Sequence, residues 1–332
     1  MKKSLAKLAA VTVLALVGAG TNSLAANSEA RADQPANWTI NEAVDVNAIN
    51  SDLVPGRPTI DVGIYFPSNF DPGFDKVTLP AMLDSFMSAK EIYAPAGVQL
   101  NLLWVKSGEV DPRFLAIQAN EIPRIPDTEY VNLYVSSRRH PAELTEMAKS
   151  AFESVIEPDE DNSRTIYLVA LQDVIFPFLE VSEGRNWTMK MVRTGGLSFP
   201  TYSYGDTLPE RLRGVITITN LSKPSRLRRT IAHEIGHKAM NVSHEYKATD
   251  PAHEIYDEGG LMLYGSGEDI PSGREGRWHL ERLLMSPFVY RRDAEGKKVW
   301  NEDYKEGGHY YDPLYGEKVV DFPGVSGMDP DW

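Results

Sequence analysis

The chain has 332 residues, 42% of them apolar and 24% charged, enough for one large globular domain or two smaller ones. Its net charge of −13 and the absence of a long basic run argue against a polyanionic partner such as nucleic acid. Cysteine is absent, which excludes disulfides and a lipidated N-terminal cysteine and leaves stability to packing or a bound ion.

In chain order, Lys2, Lys3 and Lys7 precede an apolar run from Leu8 to about Gly20 and small residues near Ala25. This reads as a secretory signal peptide over residues 1–25, too short for a membrane span. Its loss takes the charge from −13 to −13 − 3 = −16. No later stretch is long and apolar enough to cross a bilayer, so no membrane anchor is expected, and the product is expected to be secreted or periplasmic.

Residues 26–57 are polar and end in Val-Pro-Gly-Arg-Pro, the composition of a poorly ordered lead-in or short pro-segment. The β-branched alternation of Thr59–Phe66 predicts a strand. A helix follows from about Val77 to Tyr93, stopped by Pro95 and Gly97. Further strands are expected at Val98–Gly108, Arg164–Leu171 and Gly214–Asn220. Gly195–Gly205 contains Pro200, which cannot donate to a ladder, so this stretch reads as an edge strand. A helix is expected over Arg226–Met240 with Ser225 as its cap, another over Arg274–Met285, and a hairpin turning at Ala294–Gly296. The remaining tail to residue 332, rich in Gly, Tyr and Asp, reads as irregular. The order of elements predicts an α/β (α+β) fold: a twisted mixed sheet with helices on one side and a smaller, irregular C-terminal part.

Three of the seven histidines, His233, His237 and His244, fall within twelve positions. On a helix, His233 and His237 lie one turn apart on one face and can reach the same ion. Glu234 is turned about 100° from His233, beside the site without ligating, where it can take a proton from a water activated by the ion. This is the His-Glu-x-x-His arrangement of zinc hydrolases, which a chain like this shows by chance about once in a hundred. A third ligand is needed. Were the helix to continue, His244 would lie about 10 Å beyond His237. The helix must therefore stop, and Asn241, tolerant of the left-handed conformation, is the expected stop. Glu254 and Glu258 downstream offer a carboxylate alternative.

The segment resembles the metzincin clan of zinc endopeptidases, whose motif is H-E-x-x-H-x-x-G-x-x-H. His233, Glu234 and His237 match it directly. The clan's turn glycine and third histidine would fall at Met240 and Ser243, whereas Asn241 and His244 stand one position later, as a one-residue insertion would place them. Gly259–Gly267 (GGLMLYGSG) is similar to the clan's methionine turn, with Met262 as its methionine and Tyr264 where some members place a tyrosine near the metal. The resemblance implies a catalytic domain over residues 58–290, a hairpin and tail over 291–332, and one catalytic zinc ion. It also implies a protein or peptide substrate lying along the edge strand that includes Gly195, Gly196, Leu197 and Ser198. The expected chemistry is peptide hydrolysis with Glu234 as general base and then acid, and Tyr264 as an oxyanion donor. A capping role for Asp45 or Asp52 in a latent form is the weaker reading beside a solvated linker.

The rivals are a zinc hydrolase with Glu254 or Glu258 as third ligand, and a secreted binding protein that retains the fold without catalysis. His140, His253, His279 and His309 read as structural or exposed. Glu157–Asn162 reads as a solvated loop rather than a calcium site, because it lacks calcium-loop spacing and glycine. The four Asn-X-Ser/Thr sequences at Asn37, Asn186, Asn220 and Asn241 read as chance occurrences. The tail tyrosines Tyr304, Tyr310, Tyr311 and Tyr315 read as ordinary packing over the lower part.

Overall fold

The computed structural model of this chain describes residues 37–121, 143–158, 164–181, 187–200, 204, 208–241, 260–262, 269–270, 277–284, 286–300, 308–311 and 318–322. The N-terminal part of the domain runs β1 (Asn37–Ile40), a helical turn α1 (Val46–Ile49), β2 (Thr59–Pro67), α2 (Leu79–Tyr93) and β3 (Gln99–Glu109). Short strands β4 (Ala116–Gln118), β5 (Asn120–Glu121) and β6 (Glu143–Leu144) lead to α3 (Glu146–Val155). Then come β7 (Ile166–Ala170), β8 (Asp173–Val181), β9 (Trp187–Arg193), β10 (Gly196–Ser198) and β11 (Val215–Ile218). The histidine helix α4 (Pro224–Met240) precedes α5 (Arg277–Leu284) and strands β12 (Val289–Arg292), β13 (Lys298–Trp300), β14 (Gly308–Tyr311) and β15 (Lys318–Phe322).

The main sheet has the order β1-β3-β2-β7-β11-β10. Its centre is parallel, β2 pairing with β3 and β7, and β7 with β11, while β1 and β10 join antiparallel at the two ends. The mixed sheet and its α+β class agree with the sequence. Parallel central strands are buried on both faces, and β7 and β11 are apolar and buried throughout apart from the buried Thr217.

Two cores follow. On one face Ile60, Val62, Ile64, Leu168 and Ile216 meet α2 and α4. On the other, Tyr65, Tyr167, Val169 and Val215 meet Ala148, Phe152 and Val155 of α3. The expectation of helices on one side is therefore corrected. A parallel sheet this apolar needs both faces covered, and α3 covers the second.

Residues 37–57 depart from the expected irregular lead-in. β1 lies against β3, and Trp38 donates its indole N–H to Val155 O at 2.7 Å. Asp45 caps α1 by accepting from Ala48 N, and Asp52 pairs with the buried Lys90, which also donates to Ile49 O. Both carboxylates thus have structural partners, where the sequence read a solvated linker.

The hairpin turns where expected, with Gly296 in the left-handed region at φ 81°. Residue 290 is no boundary, however. β12 pairs with β2, and the fully buried Asp61 accepts from Tyr290 at 2.8 Å and Asn101 at 2.7 Å while pairing with Lys298 at 2.9 Å. Glu157, at the start of the acidic run considered for calcium, pairs with Lys106; residues 159–163 lie outside the described set. Among the described residues no helix is long and apolar enough to cross a membrane.

Candidate metal and catalytic site

α4 begins two residues earlier than expected. Lys223 is extended and Pro224 takes the first helical position, where its fixed φ suits the helix and its missing N–H costs nothing. Ser225 is thus inside the helix and not its cap. Ile231, Ala232, Ile235, Ala239 and Met240 bury the helix in the core shared with α2. Tyr93 of α2 donates its hydroxyl to Ala232 O at 3.0 Å, fixing the helix one residue before His233.

The predicted spacing puts His233 and His237 together: their ring centroids are 4.7 Å apart and their planes 85° to one another. His233 Nδ1 lies 2.7 Å from Leu261 O. A carbonyl can only accept, so Nδ1 carries the proton and Nε2 the lone pair, which is the tautomer a metal-ligating histidine needs. Burial lowers the His233 pKa, against the opposing pull of the Leu261 carbonyl, and so favours the neutral ring.

Glu234 is buried between α4 and β10. Burial pushes its carboxyl up to about 7, with hydrogen bonding from Ser198 pulling the other way. The Ser198 hydroxyl also donates to Glu234 O at 2.6 Å. A Cβ at Gly196 would come 2.8 Å from Glu234 Cγ and 2.7 Å from Thr230 Cγ2, so glycine is what lets strand and helix approach so closely.

The edge strand is shorter than the expected Gly195–Gly205. β10 ends at Ser198, because buried Lys238 takes the Phe199 carbonyl at 2.6 Å, together with Arg213 O, and the Phe199 ring turns into the second core. Pro200 follows and supplies no donor. β10 does stand at the end of the strand order, paired on one side with β11.

α4 stops where the sequence predicted. Asn241 has φ 51° and ψ 50° and is the one non-glycine residue with positive φ among the described residues. Met262 is fully buried, and a Cβ at Gly236 would stand 2.5 Å from its sulfur. The methionine therefore lies against the helix between the two histidine turns. His279 on α5 braces the same segment, since a Cβ at Gly260 would meet its ring at 2.6 Å. Burial and then the Arg282 charge push the His279 pKa down to about 3.

His244, Tyr264, Glu254 and Glu258 lie outside the described residues. Sequence reasoning missed the Leu261 carbonyl, Tyr93 and Lys238. The first is backbone and leaves no sequence signal, and the other two act across 139 and 39 positions of chain.

The donor set fits a borderline-soft divalent ion: two imidazoles one turn apart, one already in the ligating tautomer. No protein-family model matches the chain, and no curated protein matches it either.

Proposed function

We propose that this chain is an exported, zinc-dependent endopeptidase of metzincin type. The observation that carries the reading is the His233–His237 pair with His233 Nδ1–H held by the Leu261 carbonyl next to Met262. His233 and His237 would hold the ion with His244, to which the left-handed Asn241 gives the chain a point of reversal. When bound, zinc supplies Lewis-acid polarisation of a peptide carbonyl and acidifies a water.

The remaining work belongs to the chain itself. Glu234 accepts the proton of the attacking water and returns it to the leaving amine, and its buried position keeps bulk water from competing. Ser198 fixes Glu234 by its backbone carbonyl, so the base cannot drift from β10. Among the described residues no strand lies beyond β10 in the strand order, and that edge would take an extended peptide through main-chain hydrogen bonds.

The test is metal analysis of the purified full chain, with hydrolysis of an unstructured protein substrate measured with and without a chelator. Zinc is expected near one per chain, and chelation is expected to abolish cleavage. Glu234→Gln is expected to keep the metal and lose about 10²- to 10⁴-fold in rate. Cleavage indifferent to both changes would overturn the proposal. Unaltered zinc content in His244→Ala would move the third ligand to Glu254 or Glu258.

A further inference from the structure

We propose that Arg226 determines specificity by binding a carboxylate of the substrate about one to three residues beyond the scissile bond, on its carboxyl side. The inference rests on the peptidase reading above. Arg226, Thr230 and Glu234 are spaced four apart and form one stripe along α4. That stripe follows the glycines that lead into β10. A Cβ at Gly195 would come 2.8 Å from Arg226 Nη1, and one at Gly196 would meet Thr230 and Glu234. The guanidinium therefore meets the strand at Gly195 and the catalytic carboxylate at Gly196 and Ser198. Along the strand that is about one to three residues, although their α-carbons lie about 12 Å apart on the helix.

The charges of the same helix single Arg226 out. Arg228 pairs with Asp269 at 2.6 Å and with Glu91 at 3.2 Å, and Arg229 pairs with Asp269 at 3.3 Å. No carboxylate among the described residues pairs with Arg226, although it is half-buried. A guanidinium stays charged at every working pH, and its planar fork matches a carboxylate bidentately. Because residues 195 and 196 lack side chains, nothing from the strand covers it.

The direction follows from strand pairing. Gly195 precedes Ser198, so a peptide added antiparallel to β10 places opposite Gly195 the residues that follow those opposite Ser198. Glu234 lies at Gly196 and Ser198, which puts the Arg226 end after the bond to be cut.

The carboxylate can come from an Asp or Glu side chain or from a peptide's own C-terminus. Three matched peptides separate the sources. One carries Glu about one to three residues after the cleaved bond and an amidated end, the second carries Gln there, and the third stops there with a free carboxylate. The ratio of kcat/KM between peptides is read within each full-length protein, so a partly folded variant does not distort it. Wild type is expected to favour the Glu peptide over the Gln peptide about five- to tenfold. Arg226→Gln is expected to bring the two ratios to one, and Arg226→Lys to keep part of the preference. A gain confined to the third peptide assigns the terminal carboxylate. Equal cleavage of all three peptides by wild type, or a preference that survives Arg226→Gln, overturns the proposal.

The same peptides titrated by fluorescence anisotropy against Glu234→Gln give a readout without turnover. Tighter Glu-peptide binding that Arg226→Gln removes, with no hydrolysis by wild type, keeps the carboxylate site and rejects the peptidase. Hydrolysis with no preference for either carboxylate-bearing peptide does the reverse.

Discussion

At one edge of the main sheet, β1 contributes four residues of which only Trp38 is buried. At the other, β10 contributes three, with Ser198 buried and tied to the histidine helix through Glu234 O. An exposed strand edge invites unwanted pairing, and proteins blunt it or use it. The β1 edge is a cover for β3, fastened by one tryptophan to the far end of α3. The β10 edge stays short and glycine-bearing, backed by charged and hydrogen-bonding groups from α4. One edge serves stability, and the other is the one to which the proposed function assigns substrate.

The largest expected effect separates the two edges. Trp38→Ala removes the indole packed 4.9 Å from the Tyr65 ring and its bond to Val155 O. It should cost about 3–5 kcal/mol in urea unfolding while kcat/KM of the surviving folded protein holds. The opposite pattern is expected at the other edge. Gly196→Val pushes β10 off Thr230 and Glu234, and displacement of the base by about 1 Å is worth about a hundredfold in kcat/KM. Its unfolding midpoint should move far less than that of Trp38→Ala. A shared response of both variants in both assays would dissolve the distinction.

An acid titration sharpens it further. The folded His279 pKa, about 3, lies below its ordinary value near 6.5. Between these values the unfolded chain binds a proton that the folded chain does not. Stability is therefore full above about pH 6.5 and falls as pH drops towards 3, by up to about 1.4 kcal/mol per pH unit from this residue. Because His279 braces Gly260, hydrogen exchange at residues 260–262 should quicken in acid before exchange at β1 does. In His279→Gln the pH slope should flatten. The smallest effect is expected at Asp52, which is 65% exposed in its pair with Lys90. Asp52→Asn should cost under about 1 kcal/mol, read as a slight shift in unfolding midpoint, with cleavage untouched.

Much of the fold was legible where local chemistry decides it. The β-branched runs gave β2, β7 and β11, and Asn241 marked the helix end through its left-handed φ. The histidine spacing located the ring pair. What stayed hidden was long-range. The buried residues of α3 are two alanines, Phe152 and Val155, too short a stripe to announce the helix that closes the second face. Trp38 read as part of a polar lead-in because its partner lies 117 residues away. Arg226 looked like one more basic residue until the pairing of Arg228 and Arg229 set it apart.

The hydrogen bond from His233 to Leu261 O links two things that sequence keeps apart by 28 positions. Drawing electron density from one imidazole nitrogen makes the proton on the other more acidic, so the proposed cation at Nε2 would tighten the grip on residue 261. Reciprocity then requires that whatever loosens that stretch of backbone also weakens affinity for the cation. Substitutions beneath the helix, with no ligating atom of their own, should thus register as changes in metal dissociation constant.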